Sequence, residues 1–417
     1  MTTTIRILKE SFHWKNFLLL FFCFLLTEGI FSWLFIRNSL VIEGYTKLLG
    51  IGIYAFMLSR YRTLEKDERI YLFLFTAVML RLVGESVIKY DTLFRQLTLF
   101  TVLFPVVYVV FTKYLLRITG MDPLPFFAKF YLLIYTIFMI LFGRGFSFNL
   151  ALTDMTDYGP FSGDTRIIHA SHILMMIVPL LWYTHRYVIT GMGKYLLPVT
   201  FCVVVILLHQ HRSVWSSALV AVFFYFIAVI RNGMLQTGRL TKILIIVTGV
   251  AAISYFFAAN LLPGFVDFLS DRFSEILNPA REGSTGNFRL EQREVYGRLF
   301  LQRPIFGWTF EGFEMPNPLV DWWPPLSGQH FHEGYMEMLF YLGIAGLLLK
   351  YSFLFYLLLK VFSKNITGHS IILAAFCISG LVFSFNYVLP LIFWAVTGMA
   401  MYYIEQDKLN LNSNNPG

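Results

Sequence analysis

Residues 262–333 read LPGFVDFLSDRFSEILNPAREGSTGNFRLEQREVYGRLFLQRPIFGWTFEGFEMPNPLVDWWPPLSGQHFHE, and almost everything on either side is apolar. The stretch carries Arg272, Arg281, Arg289, Arg293, Arg298 and Arg303 among Asp and Glu residues, with Pro, Gly and Trp through its second half. It is no membrane span, since crossing a bilayer takes about 20 apolar residues at 1.5 Å of rise each. It is the one polar excursion large enough to build a site. The chain therefore divides into a first membrane region (1–262), an external loop domain (263–333) and a second membrane region with a polar tail (334–417).

Composition supports that division. Of 417 residues, 57% are hydrophobic, 18% aromatic and only 14% charged, with a mean hydropathy of +0.64. Soluble domains are nearer a quarter charged, so this is an all-α polytopic membrane protein. The net charge of +8 does not point to nucleic acid, because the basic residues sit mainly in short loops between apolar runs. Cys23, Cys202 and Cys377 all lie within apolar runs and imply no disulfide framework. The first apolar run, Phe17 to Ile36, is long for a signal peptide and lacks a small-residue cleavage site.

Working outward, candidate spans fall near 17–36, 40–58, 70–88, 97–116, 125–143, 167–183, 194–209, 213–230, 241–262, 335–361, 370–388 and 390–404, about twelve in all. In lipid each must be a helix, because unpaired backbone groups there cost several kcal/mol. Lys and Arg cluster before the first span and after the second, fourth, sixth, eighth and tenth: Arg60 and Arg62, Arg117, Arg186, Arg231, and Lys360 with Lys364. The positive-inside rule makes those loops cytoplasmic and puts 144–166, 209–213 and 263–333 on the outer face. Arg81 and Glu85, four apart in the third span, read as an intrahelical pair or a substrate contact. His169 and His172 read as helix-packing hydrogen-bond partners.

Several residues on the outer face carry chemistry. Arg212 stands where the seventh span turns into the eighth and needs an anionic partner or water, unless it snorkels to the interface; Trp215 follows as an interfacial anchor. The segment 287–304 reads as a half-buried helix capped by Asn287 and stopped by Pro304, with Phe288, Val295, Leu299 and Phe300 roughly at helical spacing. Arg289 and Arg293 share one face of it, with Glu291 and Glu294 turned elsewhere, and suit lipid phosphates or a phosphorylated substrate. His332 and Glu333 lie at the mouth of the tenth span. The pairs His209/His211 and His330/His332 suggest zinc at first sight, but residues two apart on a helix diverge and no carboxylate or cysteine completes a set. An imidazole, which titrates near pH 6.5 in water, can serve as a base without metal. No Gly-rich phosphate loop, no G-x-S-x-G and no Asp-x-Asp occurs on the outer face, which argues against nucleotide chemistry.

These residues carry a resemblance. HEGYMEMLFYLGIAGLL (332–348) resembles the signature of the O-antigen ligase/O-antigen polymerase family, with His332, Gly343 and Gly346 at its expected places. Arg212 in HRSVWSSALVAV is similar to the family's arginine ahead of the long loop. Arg289, with RPIFGWTFEGF following, is similar to its second. The motifs cover roughly 195–350. Two departures stand out: Glu333 where Asn is frequent, and His-Gln-His ahead of Arg212 in place of Ser or Thr.

The resemblance implies a GT-C-like inner-membrane glycosyltransferase with about twelve spans and a periplasmic loop containing short helices. Its donor would be a glycan on undecaprenyl pyrophosphate, and its acceptor the sugar of lipid A-core or a growing glycan. Neither metal nor cofactor is implied. Arg212 and Arg289 would hold the leaving pyrophosphate and His332 would act as base. Arg293, His211, His330 and Glu333 would contact substrate. The shared Arg–Arg–His set favours ligase-type transfer; a polymerase of the same family is the alternative. A flippase or transporter is a third reading, and it calls for midplane charges and internal repeats, of which only Arg81/Glu85 is present.

Overall fold

The computed structural model describes residues 39–142, 168–209, 211–235, 285–321, 324, 326–329 and 331–414, with single positions at 30, 36 and between 238 and 280. The described residues form helices and connecting loops: α1 (Ser39–Ser59), α2 (Lys66–Tyr90), α3 (Leu97–Thr101), α4 (Phe104–Thr119), α5 (Leu124–Phe142), α6 (Ala170–Leu174) and α7 (Ile177–Thr190). There follow α8 (Leu196–Leu208), α9 (Arg212–Arg231), α10 (Thr285–Gln302), α11 (Glu311–Glu314), α12 (Gly334–Lys360), α13 (Gly368–Phe383) and α14 (Leu391–Asn414). The chain is a multi-pass helical membrane protein.

The count of spans differs from the expectation of about twelve. Among the described residues, 6 segments are long and apolar enough to cross a membrane: 66–90, 97–119, 124–141, 170–190, 212–231 and 334–360. Residues 193–207 and 368–383 form shorter apolar helices. The expected spans at 17–36 and 241–262, and the loop at 144–166, lie outside the described residues. Two spans expected as single helices are broken, between α3 and α4 and between α6 and α7. The cause is in the sequence. Pro105 and Pro179 each lie in the first turn of the second piece, where the missing N–H cannot bond back to Thr101 or Met175. The last helix, expected to stop near 404, runs on to Asn414 because EQDKLNLNSN contains no Gly or Pro.

The helix α2, 25 residues and so about 37 Å long, separates two ends of the bundle. At its start a capping box joins Glu65 and Glu68, and these carboxylates meet Arg117 at 2.8 and 2.7 Å. Buried Lys113 binds Asp67 at 2.7 Å, Glu405 at 2.9 Å and Glu65 at 3.0 Å. The loops after α4, α9 and α12 gather at the same end, through His369 on Asp122 and Asn232 on the Ser363 carbonyl. The basic loops after α1, α4, α9 and α12 therefore meet at this end.

The other end of α2 receives the polar excursion. Lys89 binds Glu311 at 2.7 Å, Arg95 binds Glu314 at 3.0 Å, and Gln96 donates to the Leu326 carbonyl at 3.0 Å. Arg81 and Glu85 do pair, at 3.6 Å, and Glu85 also accepts from the Thr309 hydroxyl at 2.7 Å while Arg81 stacks on Phe306. Their work is structural. They dock the loop onto the bundle.

The docking is completed by a break in α12. Gly343 adopts φ +63° and ψ −163°, which interrupts the helix after the second turn. In an unbroken helix the amides of Ile344 and Ala345 would bond to the carbonyls of Phe340 and Tyr341. Instead they donate to Pro304 and Ile305 at 2.9 and 3.1 Å, and the vacated carbonyls accept from Trp308 and Thr309 at 2.7 and 3.0 Å. Two intrahelical bonds are replaced by four bonds to the loop, so the break leaves none of these groups orphaned. This is the physical content of the two Gly-containing motifs: PIFG inserts into the LGIAG break.

Candidate active site

The helix α10 brings the excursion's cations to the end of the bundle opposite the Glu65–Glu68 capping box. It begins at Thr285, ahead of the expected cap, and Asn287 instead donates its side-chain amide to Glu291 at 2.7 Å inside the first turn. Pro304 does end it, after Gln302. Its most buried residues are Gln292 and Tyr296, 1% and 0% exposed, while Phe288, Val295, Leu299 and Phe300 are half-buried, with Leu299 packed on the core. Gln292 and Tyr296 carry polar groups, so apolar periodicity alone does not select them. The Tyr296 hydroxyl donates to the Gln329 side chain at 2.8 Å, and Gln329 in turn binds the Gly312 and Met315 carbonyls at 3.0 and 2.8 Å. Gln329 thereby fixes the backbone shortly ahead of His332.

On one face of α10, Arg289 and Arg293 point to a common region, as their spacing predicts. Arg293 grips Glu333 through both oxygens, Nε to Oε2 at 3.0 Å and Nη2 to Oε1 at 2.8 Å. It also lies over the Phe385 ring, at 5.6 Å from its centre. Arg289 lies over the Tyr387 ring at 5.5 Å, and its buried Nε has no hydrogen-bond partner among the described residues. Buried guanidinium donors are normally satisfied, so this one has the capacity to bind an acceptor. Glu291 and Glu294 are exposed and turned away.

The helix α12 presents the other half. Glu333 precedes it, 2% exposed, and its carboxylate goes to Arg293 rather than capping the helix. Burial pushes the Glu333 carboxyl above its ordinary range, and Arg293 and then Arg289 pull it back. His332 is half-buried, with its ring 6.0 Å from that of Phe288. The Gly334 amide donates to the Ser384 carbonyl at 3.0 Å and the Tyr335 hydroxyl to the Leu381 carbonyl at 2.7 Å. These bonds tie the start of α12 to the turn that carries Phe385 and Tyr387.

The turn between α8 and α9 joins through a chain of contacts. His211 binds the Ile168 carbonyl at 3.1 Å; the next residue, His169, packs edge-on against Tyr387 at 5.4 Å; and Tyr387 carries Arg289. Arg212 starts α9, directly after His211. His169 accepts from the Ser171 amide as the cap of α6, in keeping with a hydrogen-bonding role, and the His172 carbonyl accepts from Tyr131. Trp215 is no interfacial anchor. It is 5% exposed and donates to the Ile206 carbonyl at 2.8 Å, closing the α8–α9 turn from inside. His209 bonds Tyr135 at 2.7 Å and stacks on His211. His330 lies outside the described residues. Among the described residues no three His, Cys, Asp or Glu side chains are grouped as metal ligands.

Sequence reading missed His169, Phe385 and Tyr387 as members of this region. The usable signal was FNYVLP (385–390), an aromatic turn that the loop alternation assigns to the outer face.

No curated protein matches the chain. Residues 197–351 match the model of a family described as O-antigen ligase. That interval runs from α8 into α12 and contains Arg212, Arg289, Arg293, His332, Glu333 and both halves of the loop-in-helix insertion. Through this region, somewhat over a third of its length, the chain is similar to the O-antigen ligase family.

Proposed function

We propose that the protein moves a glycan from undecaprenyl pyrophosphate to a sugar hydroxyl of an acceptor glycolipid, in ligase fashion, at the periplasmic face of the bacterial inner membrane. The family match carries the reaction class. The orphaned Nε of Arg289, beside the Arg293 fork, supports an anion site at the outer end of the bundle. In the reaction the acceptor oxygen bonds to the anomeric carbon as the carbon–oxygen bond to pyrophosphate breaks. The electron pair leaves on a phosphate oxygen, and the hydroxyl proton passes to a base.

Arg289 and Arg212 stabilise the leaving pyrophosphate. Guanidinium matches phosphate oxygens bidentately and places fixed positive charge where negative charge develops. His332 takes the proton. His211, His330, Arg293 and Glu333 complete the substrate contacts. The loop 263–333 would lie outside, and no metal or nucleotide takes part.

Purified full-length enzyme given lipid-linked glycan and lipid A-core acceptor in EDTA is expected to yield glycosylated lipid A-core. Extension of the carrier-linked chain instead would make it a polymerase. Activity lost in EDTA and restored by zinc would return the His pairs to consideration as ligands. Arg289→Lys should retain part of the turnover that Arg289→Ala loses, because lysine keeps charge without the fork.

Orientation is tested separately. In a background with Cys23, Cys202 and Cys377 replaced, a cysteine at exposed Glu294 should react with an impermeant maleimide in spheroplasts. One at Arg62 should react only after permeabilisation. The reverse pattern would invert the topology and move the site to the cytoplasm.

A further inference from the structure

Resting on the donor-site reading above, we propose that Glu333 is a resident anion that occupies the Arg293 guanidinium until the donor's pyrophosphate displaces it. Arg293 then becomes a third phosphate-binding cation. The first support is the geometry of the pair, with two nitrogens on two oxygens at 3.0 and 2.8 Å. Carboxylate and phosphate present the same pair of acceptor oxygens to a guanidinium, so one can replace the other on an unmoved arginine.

The second support is that the pair is incomplete. Oε1 of Glu333 is buried and ion-paired but makes no aligned hydrogen bond, and Nε of Arg289 is buried with no partner among the described residues. Arg289 is close enough to act electrostatically on Glu333. One carboxylate thus faces two guanidiniums and leaves donor capacity unused, which suits a placeholder for a larger anion. The third support is position. Glu333 stands at the head of α12 without capping it, so its release from Arg293 breaks no helix cap.

Displacement has a proton consequence. A buried carboxylate stripped of its cation beside a pyrophosphate is strongly disfavoured unless it becomes neutral. The other charged or titratable groups about it are Arg289 and Arg293 on α10, His332 beside it, Glu337 one turn deeper in α12, and Tyr387 across from Arg289. Burial already biases Glu333 toward the protonated form. Donor binding should therefore draw a proton onto Glu333, and affinity should rise as pH falls.

The test is equilibrium binding of geranylgeranyl pyrophosphate to the full chain in nanodiscs between pH 6 and 9, with geranylgeraniol as the tail-only control. Glu333→Gln, which keeps the shape and removes the charge, should bind the pyrophosphate about tenfold more tightly than wild type at pH 8 to 9. The gap should close toward pH 6. Adding Arg293→Met to Glu333→Gln should erase the gain. Equal or weaker binding by Glu333→Gln, with Arg289→Ala still impairing both backgrounds, would overturn the displacement and leave the donor site standing. Turnover lost in Glu333→Gln at unchanged affinity would likewise overturn it and make Glu333 a base. Pyrophosphate bound no better than the alcohol by wild type would instead remove the donor site itself.

Discussion

His332→Ala lowers the rate of glycan transfer by roughly 10²–10⁴-fold while binding of the lipid-linked donor is largely kept. The expectation follows from what the imidazole is asked to do. A sugar hydroxyl is a poor nucleophile until its proton has somewhere to go, and removal of the acceptor for that proton acts on the transition state more than on the bound ground state. His332 is held for this role from both sides. Upstream, Gln329 is fixed by Tyr296, Gly312 and Met315. Downstream, the Gly334 amide is held by the Ser384 carbonyl. A merely structural histidine behaves differently, because its loss lowers the amount of folded protein rather than turnover per molecule. Transfer should therefore be measured in vitro and normalised to folded enzyme in the membrane. Turnover near that of wild type would remove His332 as the base.

Gly343→Ala should destabilise the protein by about 3 kcal/mol or more and abolish most activity, although the residue touches no substrate. Two effects combine. The combination φ +63°, ψ −163° is essentially confined to glycine, and an L-residue there costs roughly 1–3 kcal/mol of backbone strain. A Cβ there would also stand 2.5 Å from the Ile305 carbonyl carbon and 2.6 Å from the Phe306 nitrogen, distances that force the loop out of the break. Each of the four inserted hydrogen bonds contributes about 1 kcal/mol, and their partners are left unsatisfied if the loop withdraws. Thermal unfolding in detergent would read the stability. Loop withdrawal should also expose Arg303 and Glu311, now paired, to proteolysis nearby. Gly297→Ala is the comparison. It sits within α10, where an added Cβ would meet nothing within 4 Å, so the loop insertion should survive. A melting temperature for Gly343→Ala within a degree or two of wild type would mean that the break does not depend on glycine.

Much of this protein could be read without a structure. Composition and apolar run length determined the class, because a helix is the only way for most of these segments to satisfy their backbone in lipid. Loop charge grouped the basic loops after α1, α4, α9 and α12, and those loops do meet at one end of the bundle. Helical spacing put Arg289 and Arg293 on one face, and the motif around His332 pointed to the family that residues 197–351 match.

Other features were set by contacts between residues far apart in the chain. Gly343 looks like an ordinary glycine of an apolar helix until Pro304 to Thr309 supplies the four bonds that make a break stable. Arg81 and Glu85 look like a charge pair in a membrane span until Thr309 and Phe306 arrive to use them. Gln292 and Tyr296 defeat apolar periodicity because burial of a polar side chain depends on a partner such as Gln329, which comes from elsewhere. Arg289 meets Tyr387, and His169 meets the same ring, although nothing in their spacing relates them. Local sequence thus determined which segments are helical and which faces carry charge, through hydrophobic run length and 3.6-residue periodicity. Tertiary structure decided where the helices break and which cations are left with an open donor, because hydrogen-bond satisfaction is a property of the assembled chain.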